Sequence, residues 1–192
     1  MSTEQSFAAY CERSAELIQL SGRTFTADSV AGAIQAICAA LTAGKPVLVC
    51  GNGGSAADSM HLAAELMGRF KRNRKPLKVM SLATDPAFLT AWANDFEYES
   101  IFSRQVEAFG EPGAVLIAIS TSGNSKNVVR AMEQARAMEM VTVALTGEGG
   151  GAMASLSGHL FAVPCKETAL IQQVHLCLYH YLCDGIEQRC CS

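Results

Sequence analysis

Ser120, Thr121, Ser122, Gly123 and Ser125 stand directly after the apolar run 114–119 and directly before a stretch with helical spacing. A buried strand that ends in such a loop and opens a helix brings hydroxyls and unpaired backbone N–H groups to one point, an arrangement that suits a phosphate. Alone, the same residues also fit a turn with an N-cap. The pattern recurs, however: Val47, Leu48, Val49 and Cys50 run into Gly51, Asn52, Gly53, Gly54 and Ser55. Just beyond lie His61 and Glu65, one helical turn apart on one face. There an imidazole and a carboxylate can meet the same ion, or simply pair at the surface. Gln172, His175 and His180 lie late in the chain among Leu170, Ile171, Val174, Leu176, Leu178 and Leu182. A histidine in such company is often a satisfied core residue, and it joins a site only if the fold carries it there.

The elements that position these residues follow from periodicity. Apolar strands are expected near 47–50, 77–83, 114–119, 141–145 and 160–164, and helices near 55–67, 86–93, 97–109, 125–138 and 168–188. This alternation predicts an α/β fold, a three-layer sandwich with a five-stranded parallel sheet covered on both faces and joined by right-handed crossovers. Ligands of such sheets sit at the carboxyl ends of the strands, where both loops lie. Neither loop carries the dinucleotide fingerprint or the lysine of a nucleotide-binding loop, so a nucleotide cofactor is not expected. Two amphipathic helices precede the first strand, one with a candidate cap near Asp28, ending at Gly22 and Gly44. Their apolar faces call for the domain's flank or a second subunit, and the subunit is the expectation. The 192 residues predict one domain, a helical pair over 1–44 and an α/β core over 45–192.

The net charge of −3 gives no general attraction for nucleic acid or an anionic membrane. A local basic run, Arg69, Lys71, Arg72, Arg74 and Lys75, reads as a solvated loop or as an attraction for an anion. Residues 1–5 lack the pattern of a signal peptide and no apolar run nears the ~20 residues that cross a bilayer, so a cytoplasmic protein is expected. Cys11, Cys38, Cys50, Cys165, Cys177 and Cys183 fall at apolar positions and read as buried thiols, with Cys190 and Cys191 an exposed, oxidisable tail.

Taken together, Cys50 to Ser55, Met60 to Leu66, Ala93-Asn94-Asp95, Ile119 to Ser125, and Ile171 through His180 resemble the phosphoheptose isomerases of the sugar-isomerase (SIS) fold family, over essentially the whole chain. The resemblance implies a flavodoxin-like sheet, leading helices used in oligomerisation, and a homotetramer. It implies conversion of sedoheptulose 7-phosphate to D-glycero-D-manno-heptose 7-phosphate, the first step toward the heptose of bacterial lipopolysaccharide or related glycans. It also implies one zinc ion per subunit on His61, Glu65, Gln172 and His180, phosphate on Ser120, Thr121, Ser122 and Ser125, and sugar against Asn52, Gly53, Gly54, Ser55, Asn94 and Asp95, with Glu65 and Gln172 also facing substrate.

An aldose–ketose isomerisation passes through an enediol and needs two proton-handling groups; Glu65 is the candidate base and His180 the candidate acid. Gln172 and His180 are eight residues apart, about 12 Å along a helix and about 80° apart in azimuth, so a shared ion calls for a site built from more than one chain. Leu170 and Gln173 stand where family members often carry Arg and Glu, and Ala169 stands in the stretch where some isomerases place an acidic residue. The alternative is a non-catalytic SIS-fold scaffold that binds the bacterial replication initiator; such proteins generally lack the Glu65 and His180 equivalents. A sugar-phosphate-sensing module would need only the serine loop.

Overall fold

The computed structural model describes residues 6–190. Strands β1 (Val47–Gly51), β2 (Val79–Ser81), β3 (Val115–Ser120), β4 (Val141–Thr146) and β5 (His159–Ala162) form one sheet in the order β2-β1-β3-β4-β5, every neighbouring pair parallel. All five residues of β1 and all six of β3 are buried, because both faces of the sheet carry helices.

Alternate strand residues serve opposite layers. Val47, Val49, Val115, Ile117, Ile119, Val143 and Leu145 pack with α2 (Ala27–Thr42), α3 (Gly54–Met67) and α7 (Thr168–Cys190). Leu48, Cys50, Leu116, Ala118 and Ala144 pack with α5 (Ile101–Phe109) and α6 (Lys126–Ala137). Between β2 and α5 runs α4 (Pro86–Asp95), started by Asp85, whose carboxylate accepts from the Phe88 N–H, and by Pro86 in the first turn.

Several expectations change. Helix α1 (Phe7–Thr24) runs through Gly22, where an added Cβ would meet nothing within 4 Å, so this glycine does not break it. The cap of α2 is Thr26, whose hydroxyl accepts from the Ser29 N–H, rather than Asp28. Helix α2 covers its own sheet, burying Ala33, Ile34, Ile37 and Ala40, so the domain's flank rather than the expected second subunit takes this face. Helix α1 sits outside α7, with Leu17 against Val163, Leu170, Ile171 and Val174. Strand β2 ends at Ser81, whose hydroxyl accepts from the Ala83 N–H and turns the chain. Cys11 and Cys177 are exposed, Cys38 and Cys165 half-buried, and only Cys50 and Cys183 fit the reading of buried thiols; Cys190 is half-buried and Cys191 lies outside the described residues. No single described helix is long and apolar enough to cross a membrane.

The basic run folds back on α7. The Glu187 carboxylate is fully buried and accepts from the backbone N–H groups of Phe70, Lys71 and Arg72 and from Arg74 Nε at 2.9 Å. Burial pushes this carboxyl up, but the three N–H groups and the guanidinium outweigh it and hold it below the ordinary glutamate range. Arg74, 4% exposed, is therefore an internal partner rather than part of a solvated loop, and its Nη2 donates to the Glu65 carbonyl near the end of α3. Lys71 pairs with Asp184 at 2.9 Å.

His175 of α7 lies buried in the core with one ring nitrogen bonded and Nδ1 without a partner among the described residues. Its Nε2 donates to the Thr146 carbonyl at 3.1 Å, and burial brings its imidazole down to about 4.

Two predictions follow from these buried groups. Glu187→Gln leaves backbone N–H groups facing an amide and Arg74 without its counter-charge, and should cost about 3 kcal/mol in urea unfolding. A buried neutral histidine contributes stability that is complete above the unfolded value of about 6.5 and is lost as pH falls toward 4. The melting temperature should therefore drop more steeply between pH 6.5 and 4 in the wild type than in His175→Gln, whose amide keeps the bond to Thr146.

Candidate functional site

The chain leaves β1 toward β2 on one side, then returns to lay β3 on the other, so the strand order reverses between β1 and β3. Crevices open at such points beyond the carboxyl ends of the strands. Gly51 of β1 pairs with Ile119 of β3, and the two loops therefore leave the sheet side by side.

Close packing demands the glycines of the first loop. A Cβ on Gly51 would lie 2.6 Å from the Ser55 carbonyl oxygen, and one on Gly54 would lie 2.3 Å from Gln172 Nε2. Gly53 caps α3 with φ of +54°, a conformation that favours glycine. The loops are tied by a reciprocal amide pair: Asn52 Nδ2 donates to Asn127 Oδ1 and Asn127 Nδ2 to Asn52 Oδ1, each at 2.8 Å. Tyr98 adds a hydroxyl bond to Asn52 Oδ1 at 2.9 Å. Asn127 and Tyr98 escaped the sequence reading; an asparagine in the first turn of a helix was the available signal for the former.

In the serine loop, Ser120 Oγ lies 3.0 Å from Ser125 Oγ and 3.4 Å from Ser122 Oγ. Ser125 caps α6 without a side-chain capping bond, so its hydroxyl is turned to the loop's own cluster. Gly123, at φ of +65°, lies so close to the Gly150 carbonyl that a Cβ would stand 2.1 Å from it, and the Thr121 carbonyl accepts from the Gly147 N–H. This anchorage to residues 147–151 presents hydroxyls and the N-terminus of a twelve-residue helix to one place. Asn94 and Asp95 end α4, exposed and joined by a 2.9 Å bond. The segment after them is held to α6 by Glu97–Arg130 and Glu99–Lys126 pairs.

The third component lies along α3 and α7. His61 Nε2 stands 3.0 Å from Glu65 Oε1, and one ligand atom from each of His61, Glu65 and His180 lies within 4.8 Å of the others. Burial and the neighbouring His61 push His180 below the ordinary imidazole range, against the opposite pull of Glu65. A neutral imidazole keeps a lone pair. Two imidazole nitrogens and one carboxylate oxygen are a zinc-type donor set that leaves a fourth position open. Phe70 stacks on His180 at 5.5 Å, and Tyr179 reaches His61 Nδ1 through its hydroxyl at 2.9 Å.

Gln172 stands apart from these three. Its amide lies against Gly54 at the start of α3, whereas His61 and Glu65 are seven and eleven residues further, about 10 and 16 Å along the helix. Leu170 is buried against Leu17 and Val163, and Gln173 Nε2 donates to the Tyr10 hydroxyl at 2.9 Å. These two departures from the family pattern thus attach α1.

Residues 9–147 match the SIS domain family. The chain is 50% identical over 183 residues to the phosphoheptose isomerase of Bordetella avium, covering 93% of this chain and 88% of that one. Among solved structures, the phosphoheptose isomerase of Francisella tularensis aligns with a TM-score of 0.92 at 34% identity, over 98% of this chain and 100% of that one. That of Neisseria gonorrhoeae aligns at 0.88 and 38%, over 94% and 96%.

If the serine loop cradles an anion, Ser120→Ala combined with Ser125→Ala should weaken calorimetrically measured sugar-phosphate binding on the order of tenfold to a hundredfold, the worth of hydroxyl bonds to a charged group. Unchanged affinity would exclude the loop from phosphate binding.

Proposed function

The chain belongs to the SIS domain family and within it to the phosphoheptose isomerases, and on that premise we propose that it interconverts sedoheptulose 7-phosphate and D-glycero-D-manno-heptose 7-phosphate. In this reading it makes the precursor of the heptose in bacterial lipopolysaccharide or related glycans. The observation that carries the chemistry is the Glu65 carboxylate, 24% exposed and 3.0 Å from His61 Nε2, with His180 in the same small group.

Moving a carbonyl from C2 to C1 requires removal of a proton from C1, an enediol, and return of a proton to C2, while O2 gains a proton and O1 loses one. Glu65 takes and returns the carbon-bound proton. His180, held neutral, donates through a ring N–H to the oxygens on which charge develops; a neutral imidazole suffices for this. Ser120, Thr121, Ser122 and Ser125 hold the phosphate at the far end of the sugar, while Asn52, Gly53, Gly54, Ser55, Asn94, Asp95 and Gln172 line its length. A phosphate held this way orients the reacting carbons without contacting them.

The proposed cofactor is zinc, held by His61, Glu65 and His180 with Gln172 as a fourth ligand. When bound it would supply positive charge near the enediol oxygens. The spacing of Gln172 from the other three supports a site shared between copies of the chain. A homotetramer with sites at subunit interfaces is the assembly we propose, and the cytoplasm the compartment.

Purified protein incubated with sedoheptulose 7-phosphate, with and without a chelator, and followed by NMR should show the aldose product and its loss on chelation. Glu65→Gln should reduce turnover by about 10²–10⁴-fold while the sugar phosphate still raises the melting temperature. Normal turnover in this variant would remove Glu65 from the role of base.

A further inference from the structure

We infer that Asn127 and Tyr98 hold the Asn52 side-chain amide in one orientation, its oxygen toward them and one N–H left for a sugar hydroxyl, so that both are positioning residues for the sugar. The inference rests on the sugar-phosphate reading proposed above. Asn52 follows β1 and Asn127 sits in the first turn of α6, two residues after Ser125. Their amides form the reciprocal pair of 2.8 Å bonds, and the Tyr98 hydroxyl joins it at 2.9 Å from Asn52 Oδ1. Asn127 is 2% exposed and Asn52 half-buried, so Asn52 is the member of the pair that a ligand can reach.

Hydrogen-bond accounting decides the orientation. A reciprocal amide pair reads the same when both amides are turned over, so a group outside it must choose. The Val128 N–H does so. It can only donate, and it stands 3.0 Å from Asn127 Oδ1 while also reaching the Ser125 carbonyl. A turned Asn127 would set its NH2 against that N–H, donor against donor. With Asn127 Oδ1 fixed, Asn52 must present Nδ2 to it and Oδ1 to Asn127 Nδ2. Tyr98 then donates to Asn52 Oδ1, and both lone pairs of that oxygen are taken. One Nδ2 hydrogen of Asn52 goes to Asn127, and the other has no acceptor among the described residues.

Tyr98 is braced apart from Asn52. It opens the 3-10 turn Tyr98–Ser100, whose Ser100 hydroxyl accepts from Trp92 Nε1 at 2.8 Å, and its neighbours Glu97 and Glu99 pair with Arg130 and Lys126 of α6. A donor fixed in direction favours a ligand that places a hydroxyl opposite it over one that does not. Inorganic phosphate in the serine loop carries no such hydroxyl, so it makes no use of this donor.

Binding of sedoheptulose 7-phosphate and of inorganic phosphate is measured by calorimetry in a Glu65→Gln background, so that turnover does not disturb the equilibrium. Tyr98→Phe, which keeps the exposed ring, should weaken sugar-phosphate binding about threefold to tenfold and Asn127→Ala about tenfold, the worth of one or two hydrogen bonds, while both leave phosphate affinity within about twofold. With Asn52→Ala added, neither change should weaken sugar-phosphate binding further, because both act through Asn52. Tyr98→Phe carries the test by itself where Asn127→Ala does not fold.

Unchanged sugar-phosphate affinity in Tyr98→Phe overturns the inference. So does an equal fall for phosphate and sugar phosphate, which would mark support of the serine loop alone, and so does a fall that persists beside Asn52→Ala. A Glu65→Gln protein with Asn52, Tyr98 and Asn127 intact that binds phosphate but no sedoheptulose 7-phosphate overturns the substrate reading, and this inference with it.

Discussion

The contact between α3 and α7 is the constraint on which the site depends. Leu62, Ala63 and Leu66 of one helix and Leu178, Tyr179, Leu182 and Cys183 of the other belong to a single apolar cluster beneath them. Burying these side chains against β1, β3 and β4 leaves the helices one relative position. At one end of their contact Gln172 closes on Gly54, and further along His61 and Glu65 meet His180. No polar group in the site had to supply the energy that brought these elements together, since apolar area removed from water did so.

A buried charge holds the far end of the same contact. Glu187 is an unusual residue to find without solvent exposure, because an unpaired carboxylate in such a place would be protonated or would unfold the helix end. Three backbone N–H groups and one guanidinium satisfy it, and in doing so they bend residues 70–74 around the end of α7. The bend carries Phe70 onto His180 and lets Arg74 bond the carbonyl of Glu65. One ionic cluster therefore links the backbone beneath the proposed base to the ring beside the proposed acid.

The two loops at the strand ends obey a different logic. Their glycines are needed because backbone approaches backbone: Gly51 lies against Ser55, and Gly123 against Gly150. Their side chains are held mainly by one another, through the Asn52–Asn127 amide pair and the Ser120–Ser125 hydroxyls. Such an arrangement is largely formed in advance, so the phosphate we propose for it would order little new structure.

Local pattern was enough for the five apolar strands, the helices between them and the two glycine and serine loops, because periodicity and turn chemistry act over a few residues. It also placed His61 and Glu65 on one face, since four residues make about one turn. It misjudged α2, Arg74 of the basic run and four of the cysteines, whose burial depends on what lies opposite: a sheet face for α2, Glu187 for Arg74, and full or partial solvent contact for Cys11, Cys177, Cys38 and Cys165. It passed over Tyr98 and Tyr179, whose residue type carries no signal until a partner distant in sequence stands beside it. The sequence by itself determined which segments are strand or helix and which side chains can do chemistry. Only the tertiary structure decided that within one chain His180 joins His61 and Glu65 while Gln172 lies apart, because an azimuth on one helix has no meaning until packing aligns it with another.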